Sequence, residues 1–160
     1  KAFGMDVVAW SQNLTPEKAE AGGAKYVSKD ELLATSDFVS IHLALSDRTR
    51  GLIGAADLAK MKKTAILVNT SRGPIVDEAA LIDALRNRTI LHAGLDVYDK
   101  EPMSADHPLT KLDNVTLIPH LGYVVEESYR HFYEGTIKDI EAWLDGQPIN
   151  VLNPDALKKT

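Results

Sequence analysis

Short apolar runs rich in β-branched residues recur along the chain, each followed by a polar residue or turn signal and then by a stretch with helical spacing. They are Val7 to Trp10, Phe38 to Leu43, Ala65 to Val68, His92 to Val97 and Val115 to Ile118, with a very short one at Lys25 to Val27. None alternates strictly between apolar and polar, which is the pattern of strands covered by helices on both faces. Between them, Thr15 precedes Pro16 and Glu17, a capping threonine with proline at the first helical position, and Gly22-Gly23 closes that segment. Ser28, followed three residues later by Glu31, reads as a capping box opening a helix to Ala34. Asp77 caps a third helix, whose Leu81, Ala84 and Leu85 form one apolar face. The longest runs from near Val125 to Leu144, with Tyr129, Phe132, Tyr133, Thr136, Ile137, Ile140, Trp143 and Leu144 at three and four spacing, and Gly146 and Pro148 end it. This βαβ rhythm predicts an α/β fold with a doubly wound parallel sheet.

Composition changes the picture mainly by exclusion. The chain has 160 residues, 44% apolar and 26% charged, the balance of an ordinary globular protein with one core. Eighteen Lys plus Arg against 23 Asp plus Glu give a formal charge of -5, and no basic block stands out, so nucleic acid is not an expected partner. The absence of cysteine excludes disulfides, thiolate metal sites and a cysteine nucleophile. It also permits a reducing compartment, and a cytoplasmic location is expected. No apolar run approaches the roughly 18 residues of a membrane span, so no membrane partner is expected.

In open parallel sheets, ligands bind beyond the carboxyl ends of the strands. Three of the predicted strand ends carry unusual chemistry. They are Asn69-Thr70-Ser71-Arg72-Gly73, then Asp96 with Asp99-Lys100-Glu101-Pro102, then Pro119-His120-Leu121-Gly122. Arg72, Glu101 and His120 thus follow successive strands, 29 and 19 residues apart. An arginine fork matches a carboxylate in a bidentate way. A histidine paired with a glutamate has its protonated form stabilised and can give that proton away. Together these groups suit reduction of a 2-keto acid, one gripping the carboxylate and another protonating the carbonyl oxygen. Singly, Arg72 reads as a solvated charge, Glu101 as a loop carboxylate and His120 as a satisfied strand-end histidine. His42, His92, His107 and His131 keep that plain structural reading, since none has a metal-type spacing, and no metal site is expected.

The wording of three segments resembles the signatures of the D-isomer-specific 2-hydroxyacid dehydrogenases. These are Asn69 to Glu78 (NTSRGPIVDE), Ala93 to Pro102 (AGLDVYDKEP) and Pro119 to Gly122 (PHLG), in the family's order and spacing, with weaker resemblance from Ala2 to Pro154. The resemblance implies a Rossmann-like fold and an enzyme that uses NAD or NADP. Its substrate would be a small 2-keto or 2-hydroxy acid, as in glyoxylate and hydroxypyruvate reductases or phosphoglycerate dehydrogenases. It implies that Arg72 binds substrate, that Glu101 raises the basicity of His120 and that His120 is the acid and base. For the cofactor, it implies Asp96 at the nicotinamide carboxamide, Thr70 and Ser71 along the same crevice, His120 to Tyr123 flanking the ring, and Leu43 and Ala44 in a loop above it. A homodimer is expected by the same resemblance. Formate dehydrogenases fit less well, because they carry glutamine where this chain has Glu101. A reading of another class is a dinucleotide-sensing corepressor that keeps the same three residues without significant turnover.

Three positions depart from the family pattern. Ala44 stands where proline is usual and removes a fixed φ. Ser11-Gln12-Asn13 follows the first predicted strand, where an acidic residue or an arginine often separates NAD from NADP, so Ser11 is a cofactor candidate that leaves the choice open. Tyr123-Val124 replaces small residues. No G-x-G-x-x-G occurs, and Lys1 to Val7 resembles the part of the family that directly follows that fingerprint. The expectation is therefore residues 1-149 as most of a dinucleotide-binding domain truncated at its N-terminus. Residues 150-160 would be a tail returning toward a substrate domain, and the chain by itself is expected to be inactive.

Overall fold

The computed structural model describes residues 1–159. It divides into two compact units, Lys1–Leu121 and Gly122–Thr160, which are taken separately.

The first unit holds six parallel strands: β1 (Val8–Ala9), β2 (Lys25–Tyr26), β3 (Phe38–Ile41), β4 (Ile66–Asn69), β5 (His92–Leu95) and β6 (Val115–Leu117). Every predicted run forms a strand, trimmed by one or two residues at its ends except for Ala65 to Val68, which is shifted by one residue to Ile66–Asn69. They make two sheets, a β1-β2 pair and the four-stranded β3-β4-β5-β6. The helices α1 (Pro16–Ala21), α2 (Lys29–Thr35), α3 (Ala55–Leu58) and α4 (Glu78–Arg86) connect them. Their starts follow from short side chains that accept orphan backbone N–H groups. Thr15 accepts from Lys18, Ser28 from Glu31 and Asp77 from Ala80. The single turn of α3 was not foreseen, because four residues carry too little periodicity. The carboxylate of Asp57 accepts the Gly54 N–H at 3.1 Å and so holds its first turn.

Burial along the strands alternates, contrary to the expectation from their unpatterned sequences. Val39 and Ile41 are buried while Phe38 is 59% exposed, and Leu67, Ala93 and Leu95 occupy the same buried face. Successive side chains point to opposite faces, and one core gathers the buried face with Leu33 of α2, Leu58 of α3 and Leu81, Ile82, Ala84 and Leu85 of α4.

The register fixes where the strands end. Ile41 pairs with Asn69, Asn69 with Leu95, and Leu95 with Leu117. The four carboxyl ends therefore lie in one row, and the loops that follow them open along a single edge.

In the second unit, α5 (Glu126–Leu144) matches the expected long helix. Tyr129 and Tyr133 stack at 6.5 Å and Arg130 pairs with Glu126 at 2.7 Å, but none of its residues is buried. Within the tail expected at 150-160, Pro154–Lys159 forms a 3-10 turn. Among the described residues, no helix is long and apolar enough to cross a membrane.

Candidate active site

Three of the four loops along the strand-end row are built around side chains of the motifs. After β4, the buried Asn69 folds its own turn: its Oδ1 accepts the Ser71 N–H and its Nδ2 donates to the Arg72 carbonyl, both at 3.0 Å. The Ser71 hydroxyl donates to the Ile41 carbonyl at 3.0 Å and ties the turn to the end of β3. Arg72 is thereby held extended (φ -149°, ψ 136°) with an exposed side chain, while Gly73 behind it is buried.

After β5, Tyr98 is buried and the one proton of its hydroxyl is shared between the carbonyls of Ile118 (2.8 Å) and Leu95 (3.2 Å), joining the ends of β5 and β6. Burial, opposed by the bond to Ile118 and helped by the nearby Asp96 and Glu101 charges, pushes the phenol up, so it stays a donor. Glu101 turns back to this residue, its Oε1 accepting the Tyr98 N–H at 2.8 Å. Its Oε2 lies 2.6 Å from Nδ1 of His120.

After β6, His120 sits in the left-handed region at φ 56°. Such a conformation costs a non-glycine residue on the order of 1–3 kcal/mol and persists where the surroundings over-determine it. Here they do. The His120 N–H donates to the Ile118 carbonyl at 3.0 Å, the ring is bonded to Glu101, and the next N–H, that of Leu121, donates to Oδ1 of the buried Asp96 at 2.7 Å. Glu101 feels opposing influences. Burial works against its charge, but hydrogen bonds from His120 and the Tyr98 N–H, with the charges of His120 and Arg72, outweigh it and hold the carboxyl below the ordinary glutamate range. A cleft of about 520 Å³ opens beside the pair, walled by Tyr98, Pro102, Met103, Leu117, Ile118 and Pro119.

The profile of the family described as D-isomer specific 2-hydroxyacid dehydrogenase, NAD binding domain, matches residues 1–122. The chain belongs to this family. A glyoxylate reductase from Aeropyrum pernix is 44% identical over 159 residues, 99% of this chain and 48% of that protein. Among solved structures, an oxidoreductase from Ralstonia solanacearum superposes with a TM-score of 0.92 at 41% identity, over 98% of this chain and 46% of that one. The NAD-complexed D-isomer specific 2-hydroxyacid dehydrogenase from Lactobacillus delbrueckii ssp. bulgaricus gives 0.78 at 30% identity, over 93% of this chain and 49% of that one. The chain spans about half the length of the relatives it matches.

Within this 2-hydroxyacid dehydrogenase frame, Glu101 and His120 are in direct contact and Arg72 is close enough to lower the Glu101 carboxyl. Thr70 is exposed at the end of β4, and Ser71 is half-buried there. Leu43 packs on the core and Ala44, whose carbonyl accepts from the Thr49 hydroxyl at 2.7 Å, stands exposed beyond β3. Ser11 follows β1, in the two-stranded sheet rather than in the row of four. Gly122 opens the second unit. Asn69 and Tyr98 belong to the motifs, yet their sequence alone assigns them no role. Their contribution is to shape the loops, and the signal for it was their place at a strand end, where a buried polar side chain must find backbone partners.

Proposed function

We propose that this chain carries the substrate-binding and proton-transfer residues of an oxidoreductase that uses NAD or NADP on a small 2-keto or 2-hydroxy acid. The observation that carries the reading is the Glu101–His120 contact at 2.6 Å, on a histidine held in a costly backbone conformation at the strand-end row. With Nδ1 engaged by the carboxylate, the ring presents Nε2 as the proton-carrying atom. A protonated imidazole at Nε2 gives its proton to the oxygen of a 2-keto acid during reduction, and takes it from the hydroxyl in the reverse direction. Glu101 holds the ring orientation and compensates the positive charge. Arg72, charged and exposed at the edge of the row, grips the substrate carboxylate through its planar fork. The buried Asp96 positions the His120 segment through Leu121.

The residues fit the nicotinamide end of a dinucleotide. A carboxylate accepts several hydrogen bonds, so Asp96 can receive a carboxamide N–H beside the bond it already takes from Leu121. Thr70, Ser71, Leu43 and Ala44 would line the remainder, and Ser11 would meet the adenosine ribose. When bound, the dinucleotide supplies or receives the hydride. Neither Ser11 nor Asn13 repels a 2′-phosphate as an aspartate would, so use of both NAD and NADP is expected. A homodimer in the cytoplasm is the setting we infer for the whole enzyme, by likeness to the family.

The test is spectrophotometric, on the full-length protein. Oxidation of NADH or NADPH is followed with glyoxylate, hydroxypyruvate and larger 2-keto acids, with His120→Ala as the comparison. Turnover that falls by about two to four orders of magnitude in the variant, at unchanged dinucleotide affinity, supports the reading. Silence across the panel together with tight dinucleotide binding replaces the enzyme with a dinucleotide sensor.

A further inference from the structure

Glu101 rides on a loop that has little of its own to hold it. From Asp99 to Asp106 every residue but Met103 is exposed, and no strand or helix intervenes between Leu95 and Pro108. Besides the bonds of Glu101 itself and short bonds within the loop, it is tied down by one side chain that comes from the Arg72 side of the site. Glu78, in the first turn of α4, accepts from Nε2 of His107 at 3.1 Å with its Oε1, and from the Asp99 N–H at 3.5 Å with its Oε2. The two carboxylate oxygens thus reach the loop two residues before Glu101 and six after it. Both partners of the 3.1 Å contact are mostly shielded, with side chains 22% and 21% exposed. The histidine is fixed as well: its Nδ1 accepts the Leu109 N–H at 3.3 Å, which caps the 3-10 turn Pro108–Lys111. That bond requires Nδ1 without a proton, so Nε2 bears the hydrogen and donates it to Glu78. At the same place the backbone of Gly73 lies so close to the Tyr98–Asp99 peptide that the two loops are in register.

We propose that the Glu78–His107 pair is a positioning strut, which holds the loop carrying Glu101 against the Arg72 loop and so sets the Glu101 carboxylate on His120. The proposal rests on the functional reading of Glu101 and His120 only for its consequence in turnover; the placement of the carboxylate is a separate, measurable matter. Partial burial and the charges of Glu78 and Asp77, opposed by Arg50 and His107, push the Asp99 carboxyl up.

Two substitutions separate the strut from the cap. His107→Asn keeps an acceptor near the Nδ1 position for Leu109 but is too short to reach Glu78. His107→Gln places an amide donor near the Nε2 position and gives up the cap. The measurement is the titration of the Glu101 side-chain carboxyl by carbon-13 NMR on this chain, with amide spectra confirming that each variant is folded. The strut predicts that His107→Asn moves the Glu101 midpoint up toward the ordinary glutamate value and that His107→Gln leaves it near wild type. Glu78→Gln is the second handle: losing a negative charge alone would move Glu101 down, whereas a loosened loop moves it up. In the full-length protein, His107→Asn should lower kcat on the order of tenfold with KM little changed, the effect of a misplaced group rather than a lost ligand. An unmoved midpoint in His107→Asn, or a shift in His107→Gln with none in His107→Asn, overturns the strut in favour of a plain turn cap. A polypeptide with no turnover on any keto acid but with the NMR shifts intact would refute the enzymatic reading and leave the strut standing.

Discussion

Replacing Gly73 by alanine tests how closely the two halves of the site are pressed together. A Cβ built on Gly73 would lie 2.0 Å from the Tyr98 carbonyl carbon, 2.2 Å from its oxygen and 2.6 Å from the Asp99 nitrogen. Non-bonded carbon atoms prefer about 3.5–4.0 Å, so one segment must withdraw by more than about 1 Å. All three atoms are backbone, and no rotamer change can make room. The peptide is also held: the Tyr98 N–H donates to Glu101, and the Tyr98 hydroxyl to two strand ends. Overpacking of this kind costs typically 1–3 kcal/mol, and a backbone obstacle places Gly73→Ala at the upper end, about 3 kcal/mol. For a chain of this size that corresponds to a Tm lower by roughly 6–12 °C. The sign is what makes the prediction sharp. Gly73 does not use the left-handed region, and at an unobstructed position of that kind alanine stabilises by about 0.4–1 kcal/mol through the unfolded state. Thermal and urea unfolding followed by circular dichroism give the answer. A variant as stable as wild type, or more so, would refute the close approach and with it the coupling of the Arg72 and Glu101 loops.

Arg72→Lys keeps the charge and loses the fork, so kcat/KM for a 2-keto acid should fall by about 1–3 kcal/mol in transition-state terms while the melting curve stays in place; equal kinetics would return Arg72 to the solvated surface. Asp57 pairs with Lys29 at 2.9 Å and joins α2 to α3. Burial opposes its charge, but bonds from Lys29 and the Gly54 N–H and the charges of Lys29 and Lys60 prevail and hold it below its ordinary value of 3.8. A depressed folded value means stability that is present above the unfolded value and lost as pH falls through the folded one. Asp57→Asn should therefore cost about 1–3 kcal/mol near neutrality, with the gap from wild type closing below about pH 4 in urea titrations at several pH values; a gap independent of pH would remove the ion pair from the account.

The order of elements, the parallel strands and the candidates for the reactive side chains were legible in the sequence. Each depends on signals read over a few residues: β-branched runs, Thr15, Ser28 and Asp77 before helices, and motif wording at Arg72, Glu101 and His120. The alternation of burial along β3 to β5 was not legible, because apolar residues occupy both faces and only packing against α2 to α4 decides which of them is dry. The same limit hid the supporting residues. His107 read as one more structural histidine and Glu78 only as the last residue of a motif, since a contact across 29 residues leaves no local trace. Gly73 gave no sign of the peptide lying against it. The strained backbone of His120 was equally silent, because its φ is imposed by Asp96 and Glu101 beyond the end of β5 and by Ile118 beyond the end of β6. Chemistry is written in residue type, which the chain carries locally. Placement comes from the register that sets Ile41, Asn69, Leu95 and Leu117 in one row, and that exists only once the strands have paired.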